Sequence, residues 1–94
     1  MPTYKVVLFA DSSKSVQTQY MRNQQSAIQD AIPDLVVELV DETDPRLNRY
    51  SKQSRQNRVP AVLVLKDDAK VQMRNFKLEH PEAIKWIKGI MGIS

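Results

Sequence analysis

The sequence predicts a single α/β domain in which a four-stranded mixed sheet is flanked by helices, and three observations carry that reading. Two β-branched runs, Val6-Val7-Leu8-Phe9-Ala10 and Leu35-Val36-Val37-Glu38-Leu39-Val40, bracket a helical stripe, which is the pattern of a right-handed βαβ unit with parallel strands. A third run, Ala61-Val62-Leu63-Val64-Leu65, is followed by Asp67-Asp68-Ala69 and a partly alternating segment, which is the pattern of a hairpin. Ala83, Ile84, Ile87, Ile90 and Met91 then form an apolar stripe at helical spacing. A chain of 94 residues has room for one modest core, so residues 1–94 are expected to form one domain.

Taken in order, Thr3 to Ala10 is apolar at nearly every position except Lys5, so this strand should be covered on both faces and lie centrally. Asp11-Ser12-Ser13-Lys14-Ser15 breaks it and offers several N-cap candidates for the following helix, without a capping box to choose among them. Val16 to Ile32 carries Val16, Tyr20, Ala27, Ile28, Ala31 and Ile32 near one stripe, and Pro33 ends the helix. Asp34 to Asp41 is the second strand. Asp44-Pro45 starts a second helix with an Asp cap and Pro at the first helical position, and the helix is expected to run to about Gln56. Its buried side, Leu47, Tyr50, Ser51 and Ser54, is thin. Val59-Pro60 precedes the third strand, Ala61 to Lys66, and the outer strand is expected from Lys70 to Phe76, with Val71 and Met73 on one face and Gln72 and Arg74 on the other. Pro81 opens the last helix, and Gly89 and Gly92 let it end.

Composition excludes several classes of chemistry. There is no cysteine, which removes disulfides, thiolate metal ligands and cysteine nucleophiles together. The lone His80, placed before Pro81 at a helix start, cannot build a metal site by itself, and no metal is expected. The two glycines both lie in the last helix, so there is no Gly-rich phosphate loop, and one His leaves no Ser/His/Asp arrangement. No cofactor is expected. The longest apolar runs are far short of the roughly 20 residues that cross a bilayer. No secretory signal is visible, so the expected address is the cytoplasm or a particle assembled there.

The net charge of +3 is mild, yet it is segregated. Asp34, Glu38, Asp41, Glu42 and Asp44 form an acidic block with no cation, and Arg46, Arg49, Lys52, Arg55, Arg58 and Lys66 form a basic block with no acid. At 100° per residue Arg46, Arg49, Lys52 and Arg55 spread over the outward half of the second helix, which predicts a cationic face there.

The order β-α-β-α-β-β-α, with Arg58-Val59-Pro60-Ala61-Val62-Leu63 entering the third strand, resembles the thioredoxin and glutaredoxin core, with Pro60 at the position of that family's cis-proline. The resemblance covers nearly the whole chain. It implies that Ser12-Ser13-Lys14-Ser15 occupies the place of the CxxC motif, so that Ser12 and Ser15 stand where the two cysteines would be. Thiol–disulfide exchange needs a thiolate and an attackable sulfur, and a hydroxyl supplies neither; the chain is therefore expected to be redox-inactive and not an enzyme. The plain reading of Ser12, Ser13 and Ser15 is helix capping.

Three functions follow as expectations. The first is a protein-binding or structural component of a larger assembly, using Ser12, Ser13, Lys14, Ser15 and the groove at Val59 and Pro60, where relatives expose backbone for pairing with an extended peptide. Redox-inactive relatives of similar size include clock-type and spliceosomal proteins; small phage proteins described as thioredoxin-like are another home for such a chain. The second is nucleic-acid binding by Arg46, Arg49, Lys52, Arg55 and Arg58, with the steep salt dependence that phosphate contacts confer. Against it stand the mild charge and six aromatic residues, several of them assigned to the core. The third is glutathione binding, with the hydroxyl of Ser12 or Ser13 stabilising a bound thiolate as in some glutathione-using relatives.

Overall fold

The computed structural model describes residues 3–51, 60–67, 69–75 and 80–93. The chain runs β1 (Tyr4–Ala10), α1 (Ser15–Ala31), β2 (Val36–Asp41), α2 (Pro45–Ser51), β3 (Ala61–Lys66), β4 (Ala69–Asn75) and α3 (His80–Met91). The strands form one sheet in the order β2-β1-β3-β4. β1 pairs parallel to β2 and antiparallel to β3, and β3 pairs antiparallel to β4, so the expected βαβ unit and hairpin are both present.

Val6–Ala10 of β1 and Ala61–Leu65 of β3 are buried without interruption, as central strands covered on both faces require. Alternation divides their side chains between two cores. Val6, Leu8, Val62 and Val64 pack with Met21 and Ile28 of α1 and with Ala83 and Ile87 of α3. Val7, Phe9, Ala61, Leu63 and Leu65 form a smaller core with Leu47 of α2 and the half-buried Val40. Gln24 of α1 is the buried polar side chain among the described residues, and it is bonded.

Several element ends differ from expectation for local reasons. β2 begins at Val36 rather than Asp34, because the Leu35 N–H turns back to the Ile32 carbonyl at 3.0 Å after Pro33. α3 begins at His80, one residue before Pro81. Gly92 alone terminates it: at φ 75° its N–H bonds the Gly89 carbonyl while the Ile93 N–H bonds the Lys88 carbonyl, a Schellman closure. In β4 the register shifts between Val64/Leu65, so Val71 is an extra residue, and the alternation expected of Val71 and Met73 is broken by a bulge. The hairpin turn holds Asp67 at φ 51°, a left-handed conformation that Asp tolerates. Asp67 also clasps the start of β1, donating its N–H to the Thr3 carbonyl and accepting the Thr3 N–H on Oδ1. The expected continuation of α2 to about Gln56 lies outside the described residues.

β2 is an edge strand, yet half of its edge is closed. The Glu42 N–H bonds the Ala10 carbonyl of β1, so by alternation the peptide groups of Leu35, Val37 and Leu39 turn to the free edge. The side-chain amides of Gln29 and Gln25 on α1 donate to the carbonyls of Leu35 and Val37 there.

Candidate functional site

The segment expected to carry the site leaves the C-terminal end of β1 as a turn built on Asp11. Its Oδ1 accepts the Ser13 N–H at 3.0 Å and the Ser13 hydroxyl at 2.6 Å, and its carbonyl accepts the Lys14 N–H at 3.0 Å and the Thr18 hydroxyl at 3.2 Å. Its own N–H donates to Gln17 Oε1 at 2.6 Å. Asp11 thus closes an Asx turn and is itself held by the first turn of α1. The Ser13 hydroxyl and N–H hold its carboxyl below the usual range, with a smaller contribution from Lys14 and some opposition from Asp41.

The capping expected of Ser12, Ser13 and Ser15 is corrected by this geometry. The N-cap of α1 is Lys14, whose side chain makes no capping bond; Ser15 is already the first helical residue. Ser13 closes the Asp11 turn. Ser12 looks across to β2, its N–H donating to Asp41 Oδ1 at 2.9 Å. Gln17 takes the place of a capping-box partner but reaches back past the cap, to Asp11.

Asp41, at the end of β2, is the second organiser. Its Oδ2 accepts the Thr43 hydroxyl at 2.7 Å and the Thr43 N–H at 3.1 Å. The hydroxyl and N–H of Ser12, then those of Thr43, hold the Asp41 carboxyl far below the usual carboxylate range. The loop between β1 and α1 is therefore anchored on two carboxylates, each gathering backbone N–H and hydroxyl donors. Sequence reading did not single out Asp11, Asp41, Gln17 or Thr43. The signal was present, because Asp11-Ser12-Ser13 and Asp41-Glu42-Thr43 both place Ser or Thr two residues after an Asp that ends a strand run.

Pro60 is half-buried immediately before β3. Phe9 pairs with Ala61, so the register carried one residue further sets Pro60 beside Ala10, at the same end of the sheet as the Asp11 turn. Val59 lies outside the described residues. On the outer side of the loop, Ser13, Lys14, Ser15, Val16, Gln17 and Tyr20 line a broad open concavity, and Val16 is 84% exposed.

The cationic face expected on α2 does not hold at Arg46. Asp44 caps α2 as expected, its Oδ1 accepting the Arg46 N–H at 2.9 Å. The Arg46 guanidinium returns to the same carboxylate, Nε to Oδ1 and Nη2 to Oδ2, both at 3.0 Å, and also reaches Glu38 at 3.0 Å. Lys5 closes the group on Glu38 at 3.1 Å. Arg46 of the basic block thus meets Glu38 and Asp44 of the acidic block here. Glu38 is held low chiefly by Lys5, Asp44 is held low by Arg46, and Arg46 is held above its ordinary value by Asp44 first. Arg49 is exposed but not without a partner; Lys52, Arg55 and Arg58 lie outside the described residues. Among the described residues no group of three or more His, Asp or Glu could hold a metal, and no helix is long and apolar enough to cross a membrane.

Comparison with known proteins places the fold. No family profile matches the sequence, and no curated protein matches it. Solved structures do. A thioredoxin-2 described as a component of the malaria parasite protein secretion machinery superposes with TM-score 0.70 at 13% identity, covering 94% of this chain and 84% of that one. Thioredoxin 1 from Thermosipho africanus gives TM-score 0.64 at 19% identity, with 94% of each chain covered. Thioredoxin O2 from Arabidopsis thaliana gives 0.62 at 15% identity, covering 93% and 73%. The chain has the thioredoxin-like fold. In it the Ser12–Ser15 segment leads from the first strand into the first helix, and the sequence contains no sulfur nucleophile.

Proposed function

We propose that this protein is a redox-inactive, thioredoxin-like binding module, a structural component of a larger assembly that engages a protein partner through the Ser12–Ser15 loop, the adjoining first turn of α1 and the Pro60 groove. The observation that supports this reading is the order of a loop that has lost its chemistry. Asp11 and Asp41 fix the backbone of Ser12, Ser13 and Lys14 through hydrogen bonds, while Val16 stands almost fully in solvent beside them. A surface ordered before binding loses less conformational entropy when a partner docks.

The two alternatives fare less well on the same geometry. A hydroxyl that stabilised a thiolate of glutathione would have to donate to it, yet the Ser13 hydroxyl donates to Asp11, and Ser12 is held to Asp41 through its N–H. Two nearby carboxylates also repel a thiolate. For nucleic acid, Arg46 is already paired with Asp44 and Glu38.

The test is copurification of the chain with its partner from the native source, followed by reconstitution from purified components with wild-type protein and Val16→Asp. An acid in the first helical turn suits the helix dipole, so Val16→Asp should fold normally. Loss of the complex at unchanged Tm is the expected result; a complex that forms equally well with Val16→Asp overturns this surface as the contact.

A further inference from the structure

The free edge of β2 carries a ladder that stops one rung short. Thr18, Arg22, Gln25 and Gln29 fall at spacings of four, three and four residues, one stripe of α1. α1 runs back along β2, and its rise of about 1.5 Å per residue matches this spacing to every second residue of the strand at about 3.3 Å each. Gln29 bonds the carbonyl of Leu35, and Gln25 bonds that of Val37. The next rung sets Arg22 against Leu39. There the pairing is missing: among the described residues neither the Arg22 guanidinium nor the outward peptide group of Leu39 has a partner. A cavity of about 190 Å³ occupies the place, lined by Ala10, Ser12, Thr18, Arg22, Leu39 and Asp41, with Val40 behind.

We propose that this gap is a binding site for the C-terminal carboxylate of a peptide, whose last residue pairs with the outward peptide group of Leu39 and ends at Arg22. Three features select that occupant. The outward N–H and C=O of Leu39 are an unfilled strand-pairing position, which an extended backbone completes. Gln25 occupies the Val37 carbonyl on one side and the Asp44 N–H occupies the Asp41 carbonyl on the other, so Leu39 is a single rung that suits a chain end rather than a passing strand. Of the two possible chain ends, the guanidinium of Arg22 takes a carboxylate and repels an amine. In this pairing one carboxylate oxygen of the last residue accepts the Leu39 N–H, and the other faces Arg22.

Asp41 is the opposing charge in the site. Its oxygens already accept from Ser12 and Thr43, but it remains ionised. It therefore disfavours Asp and Glu in the residues just before the peptide's terminus, which gives the site a charge preference as well as a terminus requirement.

This site goes beyond the partner surface proposed above. Val16 and Tyr20 lie about 200° around α1 from Thr18 and Arg22, so the two contacts are separately addressable. The experiment is a synthetic library of short peptides made once with free C-termini and once as C-terminal amides, screened by fluorescence anisotropy against the full chain. The expected result is retention of free acids over amides, depletion of Asp and Glu next to the C-terminus, and at least about a tenfold loss of free-acid affinity in Arg22→Gln. Arg22→Lys, which keeps the charge and loses the fork, should fall between. Because Arg22 is exposed, Arg22→Gln should keep the wild-type Tm. Equal retention of acids and amides, no retention of either, or free-acid binding unchanged in Arg22→Gln overturns the proposal. The Val16→Asp variant should bind the free acids like wild type, so failure of one surface is distinguishable from failure of the other.

Discussion

Leu47→Ala should weaken the domain more than any change to the ion cluster beside it, and the comparison decides what holds α2 on the sheet. Leu47 is 4% exposed and is the α2 side chain in the smaller core, against Val7, Phe9, Ala61, Leu63 and Leu65. Truncating a buried Leu costs about 2–5 kcal/mol, the lower end applying where neighbours can collapse into the space. A helix over a small core can collapse in part, so about 2–3 kcal/mol is expected here, a fall in Tm of about 10–20 °C for a domain of this size. Arg46→Gln removes the pairs to Asp44 and Glu38, whose side chains remain about a fifth to a third exposed. Such pairs are worth about 0.2–1 kcal/mol each, so the two together should cost about 0.4–2 kcal/mol, less than Leu47→Ala. Urea unfolding read by the fluorescence of Trp86, the only tryptophan, and by far-ultraviolet circular dichroism gives both numbers. If Leu47→Ala costs under about 1 kcal/mol, or less than Arg46→Gln, then α2 is held by charge and the packing argument is refuted.

Acid should destabilise the fold in a defined direction. Asp11, Glu38, Asp41 and Asp44 all have lowered pKa values in the native state, so each adds stability that is complete above its unfolded pKa of about 4 and is lost as pH falls through the native value. The urea midpoint should be flat from about pH 7 to about pH 5 and fall steadily below; a midpoint that stays constant down to about pH 2 contradicts the assignment. Asp41→Asn should leave the fold intact but loosen the loop, since an amide has one acceptor oxygen for the donors of Ser12 and Thr43. Hydrogen exchange at the Ser12 and Thr43 amides should accelerate while amides in β1 and β3 keep their protection. Asp67→Asn should be nearly neutral, because Asn tolerates the left-handed turn and can accept the Thr3 N–H. Asp67→Ala should cost about 1–2 kcal/mol by equilibrium unfolding, for the strained φ and the lost bond together.

The sheet was legible because its signals are local and redundant. Val6–Ala10 and Ala61–Leu65 are apolar without alternation, which only a central strand tolerates, and Pro33, Asp44-Pro45 and Gly92 punctuate the helices by mechanisms that need no tertiary context. Misplaced ends and the missed bulge at Val71 have the opposite character. A bulge depends on how β4 meets its neighbour, and neither Val71 nor Gln72 signals it alone. The position of the Ser12–Ser15 loop was legible from the resemblance, but its organisers were not. Asp41 is 29 residues from Ser12 in the chain, and only the parallel register of β1 and β2 brings them together. The same holds for the α2 surface: helical periodicity puts Arg46 outward, whereas Glu38 reaches it from a different element across the sheet edge.

These contacts share one physical theme, which also explains how the loop keeps its shape without sulfur. At each turn leaving the C-terminal end of the parallel strands, backbone N–H groups would otherwise be unpaired, and an Asp carboxylate gathers them: Asp11 after β1, Asp41 at the end of β2, and Asp44 at the start of α2. Asp41 alone joins the two turns, because it accepts from both Ser12 and Thr43. The order of the Ser12–Ser15 loop is thus set from β2, an element that sequence position would not implicate, and the shape of that surface depends on the Asp41 carboxylate staying ionised.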